Sequence, residues 1–239
     1  MNNSSIGPAC FVTGTDTEIG KTLVSSALLL FWQQQGLRSL GLKPIAAGAE
    51  RLNDGWHNED VDALAACSNV DAPLAQRTPY LLQAPAAPHI AAALEDVRID
   101  VSRIVACFHQ LRPTAQAVVV EGVGGFRVPL NESHDTADLA LMLQLPVVLV
   151  VGLRLGCINQ ALLTAEAIRS RGLRIAGWVA NSATVQMAYA NENVLAIDDR
   201  IDAPLLGVIP RLSGDTALAR AHEAVLHLDA AALRRVLPV

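Results

Sequence analysis

Ala9-Cys10-Phe11-Val12-Thr13 runs directly into Gly14-Thr15-Asp16-Thr17-Glu18-Ile19-Gly20-Lys21-Thr22, and Leu23 to Gln35 follows with helical character. An apolar strand, a glycine turn and a Gly-Lys-Thr that opens a helix form a phosphate-binding loop. Its backbone N–H groups and the helix N-terminus attract an anion. Lys21 reaches the outer phosphates of a nucleotide in such a loop, and the Thr22 hydroxyl holds Mg²⁺. The usual spacing puts glycine at position 15; here that place is Thr15, and Gly14 lies one residue earlier.

Further short apolar runs occur at Leu40–Lys43, Ala117–Glu121, Val147–Val151, Ile175–Ala180 and Leu205–Ile209. Most are continuous rather than alternating, as in parallel strands covered on both faces. Helical patterns separate them, at Thr22–Gln35, Val61–Cys67, Val101–Leu111, Ala137–Leu143, Gln160–Ser170 and Ala217–Val236. The alternation predicts an α/β fold, a doubly wound and mostly parallel sheet with helices on both faces. Ligands of such sheets bind at the carboxyl ends of the strands. The proline-rich stretch from Asp71 to His89 reads as an ordered surface loop, not a linker, because strands resume after it. One domain over residues 1–239 is expected.

The chain has 239 residues, 51% hydrophobic and 17% charged, with a formal net charge of −5. A soluble chain of that size suits one large domain or two small ones. No basic run stands out, which argues against nucleic acid. Cys10, Cys67, Cys107 and Cys157 are scattered, so neither a zinc site nor a disulfide framework is expected. The six histidines form no paired spacing, and His89 is expected to pack within the proline loop. The first residues lack signal-peptide character. No apolar stretch approaches the ~20 residues that span a bilayer. These features predict a cytoplasmic protein without a membrane partner.

Other strand ends carry candidate chemistry. Glu121 closes Val118-Val119-Val120 and opens Gly122-Val123-Gly124-Gly125. A carboxylate there can approach Mg²⁺ held by Thr22, and the glycines let backbone come close to a ligand. Lys43, in Gly41-Leu42-Lys43-Pro44, can neutralise charge in phosphoryl transfer; a solvated surface lysine explains it equally well. Asp60 or Asp62, in Asn58-Glu59-Asp60-Val61-Asp62, could add an oxygen to the metal or simply cap a helix. Gly156-Cys157-Ile158-Asn159 precedes a helix and offers N–H groups to a carboxylate. Nothing local would activate Cys157 as a nucleophile, and Asn159 also fits a cap. Asn181, ending Gly177-Trp178-Val179-Ala180-Asn181, has the donor and acceptor that a purine edge needs, although read alone it fits a turn.

Taken together, the ordered set resembles the dethiobiotin synthetase family. It comprises Phe11 to Thr22, Lys43-Pro44, Pro88-His89, Val120 to Gly125, Leu155-Gly156-Cys157-Ile158-Asn159 and Gly177 to Asn181, and it covers nearly the whole chain. The resemblance implies joining of CO₂ to 7,8-diaminononanoate with ATP and Mg²⁺, giving dethiobiotin, ADP and phosphate through a carbamate and its mixed anhydride. It implies a homodimer with substrate at the subunit interface. Glu18, Ile19, Gly20, Lys21, Thr22 and Leu23 would wrap the phosphates. Thr22, Asp60 and Glu121 would hold Mg²⁺, with Asp60 preferred over Asp62 by an ungapped match from Lys43. Lys43 would be the catalytic lysine, assisted by Lys21. Glu121, Gly122, Val123 and Gly124 would approach ATP. Asn181 and Ser182 would read the adenine beside Pro210, Arg211 and Leu212. The N–H groups of Gly156, Cys157, Ile158 and Asn159 would receive the substrate carboxylate from the partner subunit.

Two departures from the family pattern are Ala47 and Ala87, where hydroxyl residues are usual. Each removes a side chain that could hydrogen-bond substrate, worth about 0.5–1.5 kcal/mol net, which bears on substrate affinity and not on the reaction class. The alternatives are a regulatory P-loop ATPase of the partitioning or division-positioning type and a cobyrinic-acid-type amidase. The first characteristically carries a lysine where Asp16 stands, and the second carries an additional glutaminase domain for which this chain is too short.

Overall fold

The structure is a computed structural model that describes residues 7–53, 55–182 and 187–238. In chain order it contains β1 (Ala9–Gly14), α1 (Lys21–Gln34), β2 (Ser39–Leu42), β3 (Ile45–Ala46), β4 (Glu50–Leu52), β5 (Gly55–His57) and α2 (Glu59–Ala66). Next come α3 (Leu74–Arg77), β6 (Tyr80–Leu81), α4 (Pro88–Leu94), α5 (Val101–Leu111), β7 (Ala117–Glu121) and α6 (Thr136–Leu143). The chain continues with β8 (Val147–Gly152), α7 (Cys157–Ser170), β9 (Ile175–Asn181), α8 (Ala190–Ile201), β10 (Leu205–Ile209), α9 (Ala217–Val225) and α10 (Ala230–Val236).

Six strands form one sheet in the order β10-β9-β8-β1-β7-β2, and every pairing in it is parallel. The apolar strands serve two cores at once. Phe11, Val118, Val120, Leu149 and Val151 face one layer, packed with Ile104, Phe108, Leu139 and Ile168 of α5, α6 and α7. Their neighbours Cys10, Val12, Val119, Val148 and Val150 face the other, packed with Leu28, Leu64, Ala224 and Leu233 of α1, α2, α9 and α10. Successive side chains of a strand point to opposite faces, so burial on both faces requires the unbroken apolar runs seen in the sequence. This is the expected doubly wound architecture.

The central strands and α5 lie where the apolar pattern predicts; the departures have local causes. The helix expected at Ala217–Val236 is two helices. Leu228 bridges to Gly207, Asp229 N–H donates to Leu206 O at 2.7 Å, and the Asp229 carboxylate caps α10. This detour covers β10, the edge strand, whose open backbone groups would otherwise be exposed. The Asp71–His89 stretch is less irregular than expected, holding α3, β6 and the start of α4, and His89 is exposed on α4 rather than packed. Helix α7 begins at Cys157 rather than near Gln160, with Gly156 rather than Asn159 as its N-cap. Helix α8 and the β4–β5 hairpin carried no clear periodic signal.

Candidate active site

β1 and β8 are adjacent, and each ends in a loop that opens a helix. Gly20 caps α1 with φ 87° and Gly156 caps α7 with φ 95°, both without a side-chain cap. Helices α2, α5, α6, α9 and α10 are instead capped by Asn58, Asp100, Asp135, Thr216 and Asp229. The first N–H groups of α1 and α7 are therefore left for another acceptor.

The phosphate loop is held from behind. Thr15 N–H donates to Val150 O at 3.0 Å. Ile19 packs so tightly on β8 that a Cβ at Gly152 would lie 2.5 Å from its Cγ2. Asn181 Nδ2 donates to Ile19 O at 2.8 Å, and a Cβ at Gly20 would lie 2.0 Å from that nitrogen. Lys21 Nζ donates to Asp16 O at 2.7 Å, so the lysine folds over its own loop. Burial, and next the nearby charge of Lys43, lower the Lys21 pKa from 10.5 to about 8.

Beside the loop, four side chains converge, from α1, α2, the end of β7 and the residue after β2. The Thr22 hydroxyl lies 2.6 Å from Asp60 Oδ1 and 2.8 Å from Glu121 Oε1. Lys43 Nζ lies 2.6 Å from Glu121 Oε1, 2.8 Å from Asp60 Oδ2 and 3.2 Å from Gly122 O. Lys43 and Glu121 are buried, at 3% and 0% exposure. Burial pushes the Lys43 pKa down, but the Glu121 and Asp60 carboxylates outweigh it and hold the ammonium above its ordinary value. Burial likewise pushes Asp60 up, and Lys43, the Thr22 hydroxyl and Lys21 together outweigh it, leaving the Asp60 pKa low. Asp62 turns away, with Oδ2 3.0 Å from His57 Nδ1.

This cluster lies at one wall of a cavity of about 920 Å³. Glu18, Gly20, Lys21, Thr22 and Leu23 line it on the loop side, with Lys43 and Asp60 beside them. Val123 and Gly124 line it as well, whereas Ile19, Glu121 and Gly122 do not. Asn181, Ser182, Pro210, Arg211 and Leu212 also line the cavity. Asn181 Oδ1 is buried and has no protein partner, and Ser182 N–H donates to Ile209 O at 2.9 Å. Ala47, Pro85, Ala86, Ala87 and Pro88 form an apolar flank, so both positions lacking the expected hydroxyl face the cavity.

Gly156, Cys157, Ile158 and Asn159 do not line this cavity. Cys157 is buried under the first turn of α7, with Sγ 3.8 Å from Asn193 Oδ1, whereas Gly156 and Asn159 are exposed. Sequence reasoning missed Thr17 and Arg220, which also line the cavity. Arg220 Nη1 donates to Gly214 O at 3.0 Å and steadies the loop after β10. Its position within α9 carries no local motif, so only the fold brings it here.

A phosphate loop after the first strand of a parallel sheet, with a hydroxyl, two carboxylates and two lysines around it, defines a P-loop nucleotide-binding protein. A family described as AAA domain matches residues 9–217. The chain is 56% identical over 216 residues to "ATP-dependent dethiobiotin synthetase BioD" of Janthinobacterium sp., covering 89% of this chain and 92% of the relative. It is 57% identical over 206 residues to the protein of the same name from Aromatoleum aromaticum, covering 86% and 92%. This chain belongs to the ATP-dependent dethiobiotin synthetase family. Among solved structures, the MinC:MinD cell division protein complex of Aquifex aeolicus matches at 12% identity and TM-score 0.55, covering 93% of this chain and 98% of that one. A ParA family ATPase from Chlorobium tepidum matches at 12% identity and TM-score 0.53, covering 97% of each chain. At such identity they share the fold alone.

Proposed function

We propose that this chain, acting as one P-loop domain, is an ATP-dependent dethiobiotin synthetase that closes the ureido ring of dethiobiotin. One amine of 7,8-diaminononanoate attacks CO₂, forming an N–C bond and, after proton loss, a carbamate. A carbamate oxygen takes the γ-phosphoryl group of ATP and releases ADP. The second amine then attacks the carbamoyl carbon and loses a proton, and phosphate leaves with the C–O electron pair. The observation that carries this reading is Lys43, a buried cation joined to Glu121 and Asp60 beside the Thr22 hydroxyl at the edge of the phosphate loop.

Phosphoryl transfer needs positioning and charge stabilisation more than covalent chemistry by the protein. Lys21 can exchange the Asp16 carbonyl for a phosphate oxygen. The three N–H donors of Lys43 are all engaged, so meeting a carbamate or phosphoryl oxygen requires it to exchange one of those contacts. The free Oδ1 of Asn181 suits an exocyclic amino group such as that of adenine.

The residues present fit Mg²⁺. The Thr22 hydroxyl has one proton, yet a carboxylate oxygen of both Asp60 and Glu121 lies within hydrogen-bond distance, and Glu121 Oε2 is buried with no partner. Oxygen donors of this kind suit a hard divalent cation. Thr22, Asp60 and Glu121 would hold it, and it would neutralise charge on the β- and γ-phosphates.

The reading includes a homodimer in which Gly156, Cys157, Ile158 and Asn159 serve the partner's substrate. Their place outside this chain's own cavity and the uncapped start of α7 support it. The test is ADP release with 7,8-diaminononanoate and bicarbonate, each omitted in turn. Turnover requires both; ADP release indifferent to both would refute the reading. Light scattering should give a dimer mass, and a fully active stable monomer would exclude the interface.

A further inference from the structure

Asp16 has two sets of contacts, and they lead to two different helix starts. Its carbonyl accepts from Lys21 Nζ at 2.7 Å, at the mouth of α1. Its carboxylate accepts from Thr17 N–H at 2.8 Å within the phosphate loop, pairs with the Arg154 guanidinium, and faces Gln160 Nε2 at 3.5 Å. Arg154 immediately precedes the Gly156 turn, and Gln160 lies in the first turn of α7. Gln160 Oε1 is buried without a partner, so that side chain is oriented by its amide end alone. The surrounding backbone admits little independent movement: Thr15 is tied to Val150, and Ile19 fills the space over Gly152.

We propose that Arg154 and Gln160 are positioning residues which, through Asp16, join the phosphate loop to the first turn of α7, so that ATP and the substrate carboxylate each favour binding of the other. The inference rests on the reading of α7 as a carboxylate site. In the proposed homodimer the two ligands so joined belong to different active centres, and the pair makes neighbouring centres interdependent. The energetic basis is exchange of partners. When a triphosphate draws Lys21 from the Asp16 carbonyl, the existing Asp16–Arg154 pair is what still ties that loop segment to α7. A carboxylate at the α7 start holds the same Arg154–Gln160 segment in place. Neither event needs a large motion, and such coupling is reciprocal by thermodynamic necessity.

The experiment titrates the intact protein with a non-hydrolysable, methylene-bridged ATP analogue and Mg²⁺ by calorimetry, with and without saturating 7,8-diaminononanoate. In the natural sequence the diamine tightens analogue binding by about fivefold or more. Arg154→Met and Asp16→Asn bring that ratio close to one. Arg154→Lys, which keeps the charge, retains most of it. A ratio in Arg154→Met equal to that of the natural sequence overturns the proposal even if dethiobiotin formation is intact. Failure of the natural protein to bind diaminononanoate at all overturns both the proposal and the functional reading beneath it. A merely structural role for the pair would lower stability in all three variants and leave the ratio unchanged, which also overturns the proposal.

Discussion

Asn181, at the end of β9, donates from Nδ2 to the carbonyl of Ile19 and occupies the space that a side chain at Gly20 would need. One residue from another strand thus sets the shape of the phosphate loop and also lines the cavity. Gly20→Ala places a Cβ 2.0 Å from that nitrogen at φ 87°. The left-handed backbone alone costs about 1–2 kcal/mol. Gly20→Ala should therefore lower stability by about 2 kcal/mol or more and weaken ATP binding at least about tenfold. Gly20→Ala should cost less stability in an Asn181→Ala background than in the natural sequence, because the clash is gone and only the backbone strain remains, as measured by denaturant unfolding; an equal cost in both backgrounds would contradict this account.

The shared Thr22 hydroxyl leads to a metal-dependence test. Thr22→Val keeps the shape and removes the oxygen that stands between Asp60 and Glu121. ATP affinity measured with Mg²⁺ and with EDTA should differ strongly in the natural protein and much less in Thr22→Val. Thr22→Ser should restore the difference. Unchanged metal dependence in Thr22→Val would remove Thr22 from the proposed ligand set.

Lys43 is the only side-chain cation within salt-bridge distance of the buried Glu121 among the described residues. Removing one partner of a buried pair costs about 3–5 kcal/mol because the other charge is left uncompensated. Lys43→Met should lose about 3 kcal/mol in chemical denaturation, and adding Glu121→Gln should recover much of it. The same Lys43→Met should depress turnover far more than ATP binding. Weak ATP binding with normal turnover would contradict the proposed catalytic role.

The pKa of Lys21 near 8 sets a pH dependence with a definite sign. A triphosphate favours the ammonium form. Below pH 8 the free protein already carries it, and affinity is insensitive to this group. Above pH 8 binding must take up a proton, so affinity falls by up to about tenfold per unit until the bound-state pKa is reached. Because the folded pKa lies below the ordinary 10.5, the unfolded chain binds more protons between those values, and the Lys21 contribution to stability rises with pH there. Comparing pH 7 to 10 in the natural protein and in Lys21→Met isolates both effects. A parallel pH profile in the variant would exclude Lys21 as their source.

The amino-acid sequence alone determined the layered architecture. Unbroken apolar runs such as Val118–Val120 are compatible with strands buried on both faces, and the helical patterns between them dictate parallel crossovers. It also marked the phosphate loop, because Gly-Lys-Thr after a strand is a local motif whose backbone supplies most of the chemistry. Only the tertiary structure decided how Lys43, Asp60 and Glu121 stand to one another. They lie far apart in sequence and meet because β2 and β7 are sheet neighbours and α2 begins beside them. The different surroundings of Asp60 and Asp62 are of the same kind: both fit a helix start, and the packed fold turns Asp60 to Lys43 and Asp62 to His57. The break at Leu228–Asp229, the inclusion of Arg220 in the cavity wall and the Asp16–Arg154 link share one physical cause. Each is a long-range contact, and periodicity and capping rules report only what a residue does with neighbours a few positions away.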